Sequence, residues 1–303
     1  MEVPRTITVL TPTYNRAYLL EQLYSSLIVQ TSHDFQWFVM DDGSTDHTGE
    51  IVEGFMKEEK IKIIYSYQDN GGKHKALNTA LKQITTELVF IVDSDDYLTE
   101  DACEVILNYH KKYRGNKLLC GYSFLRKYPD GKINNAEFPE DELLENYIEC
   151  RVNRSIGGDK AEVFLTGCLR EFPFPEFPGE RFLNEDVVWI KMAGKYRMVH
   201  INRAIYIGNY LKDGITRKGK RLKAENPLGG MERGKAMMSP ECKLSIRIKG
   251  ALQYAVFGWF AKRKTADIVG STVNRQLTLL CLPFAYAIYT YYRICFYSRG
   301  ANG

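Results

Sequence analysis

The sequence predicts an α/β fold in which a mostly parallel central sheet is flanked by helices and followed by a helical C-terminal extension. Four β-rich runs, all within about the first hundred residues, each end in a turn and lead into a segment with helical spacing. This alternation is typical of parallel sheets with helices on both faces. In the fourth run, residues 89–92 are apolar without a break, as expected for a strand buried on both faces.

The first two units are defined by a strand, a turn and a helix each. The first strand should cover residues 6–10, with Pro12 ending its pairing because proline has no N–H to donate. Leucines at helical spacing follow it. The second strand should cover residues 35–40 and end in the sequence DDGSTD, where Ser44 or Thr45 can cap the next helix.

The third and fourth units repeat this order. A strand over residues 61–65 is followed by the turn 69–72 and by a helix that Lys73 opens. The fourth strand, 89–92, leads into an acidic stretch and then a helix from about Glu100. Since each turn follows the carboxyl end of its strand, all four should converge on one crevice.

Beyond Tyr113 the alternation weakens, and we divide the chain at residue 216. Residues 1–216 are predicted to form the main α/β domain and residues 217–303 a basic, apolar and helical extension. The remaining elements predicted in the main domain are strands over 118–125, 196–201 and 204–207, a proline-rich loop over 172–179, and a helix that begins within 182–190.

Composition places the chain among globular proteins of a reducing compartment. It has 303 residues, of which 45% are apolar, so it can bury a full core. The seven cysteines are odd in number and include no CxxC pair, which favours free thiols over disulfides or a zinc site. The first ten residues lack the apolar segment of a signal peptide, so we expect the chain to begin in the cytoplasm.

Charge is divided between the two ends of the chain. Residues 1–190 carry 20 Lys+Arg against 32 Asp+Glu, a balance of −12, whereas residues 191–303 carry 21 against 5, a balance of +16. This asymmetry suggests an anionic partner for the C-terminal part: nucleic acid, a membrane surface or an anionic substrate. No nucleic-acid recognition motif accompanies it.

The C-terminal quarter is expected to hold the protein on the inner face of a membrane. Its basic runs, 217–223 and 262–264, would be attracted to anionic lipid. Leu277–Tyr292 contains no charge, but its 16 residues are fewer than the roughly 20 of a spanning helix, and Pro283 interrupts it. We therefore expect it to lie in the interface; the alternative is an ordinary helix packed on the main domain.

The acidic cluster after the fourth strand is the strongest chemical signal from the residues themselves. Asp93, Asp95 and Asp96 crowd one strand end, where their charges repel unless a cation lies between them. Hard divalent ions prefer such oxygen ligands and often bind substrate phosphates as well. An acidic helix N-terminus could explain the later acids but fits Asp93 poorly. No GxGxxG or P-loop is present, so phosphate binding would rest on metal and side chains.

Five motifs in order resemble the family-2 glycosyltransferases, which are inverting nucleotide-sugar enzymes of the GT-A fold. The resemblance covers about residues 6–216. The motifs are TPTYNR (11–16), DDGSTD (41–46), NGGKHKALN (70–78), DSDD (93–96) and NED..W (184–189).

The resemblance implies a role for each matching residue. The nucleotide pocket would include Pro12, Thr13 and Tyr14, with Asp42 accepting from uracil N3–H. Asp93 and Asp95 match the DxD pair that binds ribose and a metal-bound diphosphate, with Ser94 between them and Asp96 as the neighbouring metal ligand. The metal would be Mn²⁺ or Mg²⁺. Glu185 and Asp186 match the acidic pair that supplies the catalytic base.

Three departures from the family pattern leave assignments open. Leu77 stands where many relatives have an arginine, so Lys73 or Lys75 would have to contact the diphosphate. Lys212 lies near the place of a metal-linked histidine and could neutralise charge but not bind metal. Alignment with the acidic pair of the family favours Asp186 as the base. The spacing to Trp189 favours Glu185 instead. His74 and His200 are interpreted as ordinary polar residues.

The resemblance implies transfer of a sugar, with UDP as the expected nucleotide, to a hydroxyl of a saccharide or lipid-linked saccharide in surface-polysaccharide synthesis. A metal would neutralise the leaving diphosphate, and a carboxylate would deprotonate the acceptor in one inverting displacement. The alternatives are a non-catalytic sugar-binding relative and a sugar-phosphate nucleotidyltransferase. The latter would need a Gly-rich, Arg-containing loop after the first strand, which TPTYNR does not supply.

Overall fold

The computed structural model describes residues 5–208 and 215–297. Within them, nine strands form a single sheet and eleven α-helices and one short π-helix, Ile148–Asn153, surround it or follow it. The strands are β1 (Ile7–Thr13), β2 (Phe35–Asp41), β3 (Ile63–Tyr67), β4 (Leu88–Ile91), β5 (Tyr97–Leu98), β6 (Leu119–Lys127), β7 (Leu143–Glu145), β8 (Lys160–Leu165) and β9 (Arg197–Ile207). The helices are α1 (Ala17–Ile28), α2 (Thr48–Lys57), α3 (Lys73–Gln83), α4 (Ala102–Tyr113), α5 (Thr166–Arg170), α6 (Asp186–Ala193), α7 (Ile215–Glu225), α8 (Pro227–Met237), α9 (Leu244–Phe260), α10 (Thr265–Ser271) and α11 (Arg275–Tyr297).

The sheet has the strand order β3-β2-β1-β4-β8-β6-β9-β5, and β7 pairs with β9 outside this path. The first four strands are mutually parallel, as their strand–turn–helix sequences predicted. The next strand, β8, runs antiparallel to both β4 and β6. The carboxyl ends of β1, β2, β3 and β4 therefore lie along one edge, where the predicted crevice forms.

Apolar residues cover both faces of this sheet, which explains the unbroken apolar runs in its central strands. On one face α1, α2 and α4 pack against β1, β2 and β4 through residues such as Leu23, Val52 and Ile106. On the other face α3 and α6 pack through residues such as Leu77 and Val188. Burial on both faces is the usual condition of parallel strands between two helical layers.

Several predicted boundaries differ from those observed. The prediction that Pro12 ends pairing is wrong, because β1 stays paired with β2 through Thr13 after its pairing with β4 has ended at Leu10. The predicted caps of α2 are also wrong: the helix begins at Thr48, whose N–H is bound by the Asp46 carboxylate.

The later strands also need correction. The two strands predicted over 196–207 are one continuous strand, β9. The sequence did not predict β5, β7 or β8, of which β8 is fully integrated into the sheet.

The C-terminal helices form an apolar cluster of their own and also contact the α/β domain. Tyr254, Phe257 and Ile268 belong to this cluster. The carboxylate of Glu180 accepts the N–H groups of Leu228 and Gly229 at the first turn of α8, at 2.6 and 2.8 Å. These contacts satisfy N–H groups that a helix start leaves without helical partners, and they tie the extension to the segment before α6.

The length expected for the last apolar segment is wrong. α11 is one helix of 23 residues that continues through Pro283. Arg275–Phe296 is long and apolar enough, by length and composition alone, to be a candidate membrane span, and its most apolar window is 11% buried. The length of the apolar segment therefore does not distinguish a helix in the membrane interface from a spanning helix. α11 also packs along the other C-terminal helices.

Candidate active site

The acidic cluster lies at the carboxyl end of β4, where the sequence predicted it. One carboxylate oxygen each from Asp93, Asp95 and Asp96 lies within 4.8 Å of the others. Burial, followed by the charge of Asp93, raises the pKa of Asp95, and the same two causes raise the pKa of Asp96 to about 7. Three acids this close carry a mutual repulsion that cations must offset.

Lys73 supplies one of these cations. Its Nζ lies 2.5 Å from Oδ1 of Asp93 and 2.6 Å from Oε1 of Glu185, so it bridges the DSDD cluster and the acidic pair. Although burial opposes ionisation, Lys73 and then Arg126 hold the pKa of Asp93 below its usual value. The first residue of α3 thus joins two motifs that lie about ninety residues apart in the sequence.

Arg126, from β6, supplies the second cation. Its Nη1 lies 3.4 Å from Oδ2 of Asp96 and 4.0 Å from Oδ2 of Asp93. Its guanidinium stacks 3.8 Å above the ring of Tyr206, in the range of a cation–π contact. The Tyr206 hydroxyl donates to Asp96 at 2.7 Å and accepts the Asp93 N–H at 3.0 Å. Asp96 is therefore held by protein groups and is only 7% exposed.

Asp42 shapes the turn before α3. Its carboxylate accepts from Gln68 Nε2 at 2.7 Å, from the N–H groups of Gly71 and Gly72 at 2.9 and 2.7 Å, and from Asn70 Nδ2 at 3.3 Å. Asp42 is 4% exposed and accepts four hydrogen bonds, so in this structure it stabilises the turn. A hydrogen bond to a nucleobase stays a prediction, and it would require one of these donors to move.

Gly72 explains why this turn carries glycine. Its φ is +96°, a left-handed conformation that side chains disfavour. A Cβ on Gly72 would also lie 2.0 Å from the carbonyl oxygen of Arg181. The turn therefore packs directly on the segment that leads to Glu185, and this contact places Lys73 beside that glutamate.

The TPTYNR motif forms the neighbouring wall of the crevice. Pro12 and Thr13 are buried, whereas Tyr14 is 46% exposed. Thr13 Oγ1 is buried and finds no hydrogen-bond partner among the described residues. Asn15 accepts the Thr45 N–H at 2.7 Å, which joins this motif to the DDGSTD turn.

The remaining predicted contacts are less well defined by protein partners. Ser94 is 7% exposed and lies between the two acids of the DxD pair. Lys75 lies on the first turn of α3, where its stem would contact a side chain added at Gly71. Their predicted nucleotide contacts stay predictions. Lys212 lies outside the described residues.

The two acids of the NED motif have different partners. Glu185 directly precedes α6 and contacts Lys73, as described above. Asp186 instead receives a fork from Arg233 of α8: Nε lies 2.9 Å from both carboxylate oxygens, and Nη2 lies 2.6 Å from Oδ2. The structure therefore links Glu185 to the acidic cluster through Lys73, whereas Asp186 pairs with Arg233 of the C-terminal helices.

Beside these acids lies a second charged group that the motifs did not indicate. Burial raises the pKa of Glu162, on β8, to about 7, against the effect of Arg151 3.6 Å away. Burial, followed by Arg151, lowers the pKa of Lys160 to about 8. Both residues lie on the sheet face that also carries Phe164, on which Trp189 of the NED..W motif stacks at 4.3 Å between ring centres.

The two histidines set aside by the sequence are both buried. His200 is 0% exposed, and burial lowers its pKa to about 3. His74 is 2% exposed, and burial followed by Lys75 lowers its pKa. Neither belongs to the acidic group that could hold a metal among the described residues.

The described residues fit a divalent metal at the acidic cluster. Carboxylate oxygens are the ligands that Mg²⁺ and Mn²⁺ prefer, and three carboxylates converge here. Asp95 is the most available of them, since its side chain forms no hydrogen bond or ion pair with another residue within 5–208 and 215–297, whereas Tyr206 and Arg126 occupy Asp96. The prediction of Asp95 as a ligand is thus better supported than that of Asp96.

Comparison with known proteins agrees with this architecture. The model of Glycosyl transferase family 2 matches residues 8–151. The glycosyltransferase GlyA of Streptococcus pneumoniae serotype 4 is 34% identical over 230 residues, which cover 72% of this chain and 32% of GlyA. TarS of Staphylococcus aureus, a poly(ribitol-phosphate) beta-N-acetylglucosaminyltransferase, is 34% identical over 114 residues, which cover 37% of this chain and 20% of TarS.

Two solved structures share the fold over nearly the whole chain. The first 349 residues of TarS, in complex with UDP, superpose with a TM-score of 0.63 at 19% identity and cover 98% of this chain and 92% of that structure. A mannosyltransferase of Pyrobaculum calidifontis, with GDP-Man and Mn²⁺, gives a TM-score of 0.56 at 20% identity over 96% and 83% of the two chains. The chain spans about a third of GlyA and a fifth of full-length TarS in sequence. With the motifs, the crevice and these matches together, the chain belongs to glycosyl transferase family 2 and has the GT-A fold.

Proposed function

We propose that this protein transfers a sugar from a nucleotide-sugar donor, most readily a UDP-sugar, to a hydroxyl group of a saccharide or lipid-linked saccharide. The observation that carries the proposal is the junction at Lys73, which brings the DSDD carboxylates and the NED acids to one crevice. The leaving diphosphate needs its growing negative charge neutralised, and the attacking hydroxyl needs a carboxylate to take its proton. Both groups must lie within a few ångströms of the reacting carbon. The UDP complex of TarS, a protein of the same fold, supports the choice of nucleotide.

The donor would enter beside β1 and β2. Tyr14 is 46% exposed and could contact a base, whereas the neighbouring Thr13 is buried. Lys73 would meet the diphosphate, since it is the cation nearest to Asp93 at the strand end. A basic group at this place stabilises negative charge that grows on the leaving group, which accelerates the bond-breaking step.

The acceptor hydroxyl would be deprotonated by a carboxylate of the acidic pair. Its oxygen would then form a bond to the anomeric carbon while the bond from that carbon to the diphosphate breaks. The proton passes to Glu185 or Asp186, and the electron pair of the broken bond leaves with the diphosphate. A single displacement of this kind inverts the anomeric centre and requires no covalent intermediate.

A divalent cation would be held by Asp93 and Asp95, with Asp96 as a neighbouring carboxylate. When bound there, it supplies charge neutralisation to the diphosphate. The mannosyltransferase of the same fold was solved with Mn²⁺, which supports manganese as the first ion to test.

The decisive test is turnover of UDP-sugars with and without Mn²⁺, monitored by UDP release and product analysis. We expect metal-dependent UDP release from at least one common UDP-sugar and loss of this activity in Asp95→Ala, whose thermal unfolding should stay close to that of the wild type. Binding of UDP without any hydrolysis or transfer would instead favour a non-catalytic sugar-binding relative. Formation of a nucleotide-sugar from a sugar phosphate and a nucleoside triphosphate would favour a nucleotidyltransferase.

We further propose that residues 1–216 form the catalytic domain and that the extension, 217–303, places it at the cytoplasmic face of a membrane. The seven cysteines are free, and five of them are buried, which suits a reducing compartment. The lysines and arginine at 262–264 are exposed. Such basic residues are attracted to anionic lipid at about 1 kcal/mol each.

The shape of α11 supports contact with a membrane surface. One side packs on the other C-terminal helices through Cys281 and Ala285. The opposite side exposes large apolar residues, including Leu280 at 75% and Phe284 at 69%. A helix that packs lengthwise on a water-soluble bundle can insert its outer side into the interface without leaving the bundle. The side chains of Arg217, Lys218 and Lys220, which the sequence included in this surface, lie outside the described residues.

Liposome flotation tests this placement. The full chain should float with vesicles that contain anionic lipid, whereas the double variant Leu280→Glu/Phe284→Glu should stay at the bottom while retaining UDP affinity. Lys82→Glu, at an exposed position on α3, is the control that should still float, because it lowers the net charge by two as the double variant does. Equal flotation of wild type and double variant would contradict the proposal.

A further inference from the structure

The contact between the C-terminal helices and the acidic pair has a consequence for catalysis. The side chain of Arg233 comes from α8, outside the region matched by the family model, yet it forks Asp186 with three N–H···O contacts of 2.6–2.9 Å. Both side chains are about three-quarters buried, at 24% and 23% exposure. A bidentate guanidinium–carboxylate pair fixes the plane of the carboxylate as well as its position.

Arg233 is itself held in place by the next helix. Its Nη1 donates to Gln253 Oε1 of α9 at 3.2 Å, and Gln253 Nε2 donates back to the carbonyl oxygen of Gly230 on α8 at 3.0 Å. This arrangement leaves the guanidinium little freedom to turn away from Asp186. Side chains that orient another functional group in this way usually matter for its precision.

Close packing of α8 and α9 makes this support possible. A Cβ on Gly234 would lie 2.8 Å from the Gly250 carbonyl oxygen, and a Cβ on Gly250 would lie 2.7 Å from that of Gly234. Two glycines thus let the helix backbones touch, one residue after Arg233 and three residues before Gln253. Any larger residue would separate the helices and move the support away from the guanidinium.

The start of α8 is anchored to the segment that carries the acids. Asn226 Oδ1 accepts the N–H groups of Arg181 and Phe182 at 2.8 and 3.1 Å, and Glu180 accepts two N–H groups of α8, as described above. Gly229 approaches the Phe182 carbonyl oxygen so closely that a Cβ would lie 2.8 Å from it. These contacts join the start of α8 to the segment that precedes the acids.

We propose that Arg233 is a positioning residue for the acidic pair, held by Gln253, so that the C-terminal helices are part of the catalytic site. The inference deepens the proposed function and rests on it. Arg233 acts through the Asp186 carboxylate that it holds, and not by contacting a substrate itself. Loss of the fork should release Asp186 and slow the proton-transfer step without weakening donor binding.

The test compares Arg233→Gln and Arg233→Lys with the matched control Glu232→Gln. Glu232 pairs with Lys191 at 2.6 Å across the same α6–α8 interface but does not touch the acidic pair. We expect kcat to fall about 10- to 100-fold in Arg233→Gln, the effect of a misplaced catalytic group. The UDP dissociation constant of Arg233→Gln should change less than about threefold, because the Arg233–Asp186 fork does not contact the donor. Glu232→Gln should keep its kcat, because the Glu232–Lys191 pair does not contact the acidic pair.

Two further measurements separate positioning from a structural role. Asp186→Asn and the double variant Asp186→Asn/Arg233→Gln should have the same kcat, because Arg233 acts only through Asp186. Arg233→Ala should regain part of its kcat when guanidinium chloride is added at low millimolar concentration, while sodium chloride should have no such effect.

The outcomes distinguish this inference from the function on which it rests. An active wild-type protein whose Arg233→Gln variant folds and keeps its kcat would overturn the inference alone, as would additive losses in the double variant. If Arg233→Gln does not fold, Arg233→Lys retains the charge but not the fork, and an unchanged kcat there would overturn it equally. A wild-type chain that transfers no sugar would overturn the proposed function, and this inference with it.

Discussion

Replacing Lys73 with methionine tests the charge balance of the crevice. Methionine keeps an unbranched side chain of similar length and helix propensity but removes the ammonium group. Asp93 and Glu185, now 2.5 and 2.6 Å from Nζ, would lose the cation they share. Each contact is worth about 6 kcal/mol in gross Coulomb energy at an effective dielectric constant of 20, but water screens much of it, since all three side chains are 31% exposed.

The net loss of stability follows from this partial exposure. Removing one partner from a fully buried ion pair costs about 3–5 kcal/mol, and an exposed pair is worth 1 kcal/mol or less. For a site about two-thirds buried we expect a loss of about 2–3 kcal/mol in the free energy of unfolding, which lowers the Tm by about 3–5 °C in a chain of 303 residues. The matched control is Lys82→Met, an exposed lysine at the other end of the same helix, which should leave the Tm unchanged.

The response to metal makes the test specific. Since Lys73 neutralises the carboxylates that would hold a divalent ion, its removal should strengthen Mn²⁺ binding in the absence of nucleotide. Differential scanning calorimetry in EDTA and in Mn²⁺ should therefore show a larger rise in Tm for Lys73→Met than for the wild type. An unchanged Tm in EDTA, together with equal Mn²⁺ responses, would refute this account of the cluster.

Three further predictions concern the site and the core. Asp42→Ala should lower both the Tm and UDP affinity, because the carboxylate holds the 68–72 turn through four hydrogen bonds; calorimetry showing unchanged affinity would count against a role of this turn in the pocket. Glu185→Gln and Asp186→Asn should identify the base, as the variant that loses turnover while keeping donor affinity, and normal turnover in both would exclude the pair. His200 has a pKa of about 3 when folded, through burial, against about 6.5 when unfolded, so the unfolded chain takes up the proton first. The free energy of unfolding should therefore fall as the pH drops below about 6.5, by about 2 kcal/mol at pH 5 relative to pH 7. His200→Gln should lack this contribution, and identical acid unfolding profiles would show that another group is responsible.

The sequence predicted the half of the fold that depends on local pattern. The parallel strands β1 to β4 were visible because each is an apolar run that ends in a turn, and the periodicity of α1 and α3 follows directly from their leucines and alanines. β8 was missed because Lys160 and Glu162 interrupt its apolar pattern. Lys160 Nζ donates to the carbonyl oxygens of Ala136 and Gly157, and Glu162 faces Arg151, so both charges are stabilised by groups outside the strand itself.

The candidate site follows the same division. Asp93, Lys73 and Glu185 were predicted from their motifs, and the structure brings them into contact. Arg126 and Tyr206 were missed, since each lies late in a strand with no motif around it. The position of each residue could have indicated its role. Arg126 directly follows Phe124 and Leu125, and Tyr206 lies at the end of a buried strand, so each needs a polar partner.

Part of the charge asymmetry of the chain is used within the molecule itself. The sequence suggested an anionic partner for the positive charge of residues 191–303, and the structure pairs some of that charge with acids of the same chain. Lys195 pairs with Glu171, Arg203 with Asp101, and Arg233 with Asp186, each across the boundary between the acidic and basic regions. Opposite charge on distant segments therefore serves two purposes here. It helps the C-terminal helices dock on the acidic domain, and only the exposed remainder is available to a membrane. The Arg233–Asp186 pair connects these two roles. The helices that carry the exposed apolar side of α11 also hold the Asp186 carboxylate in place.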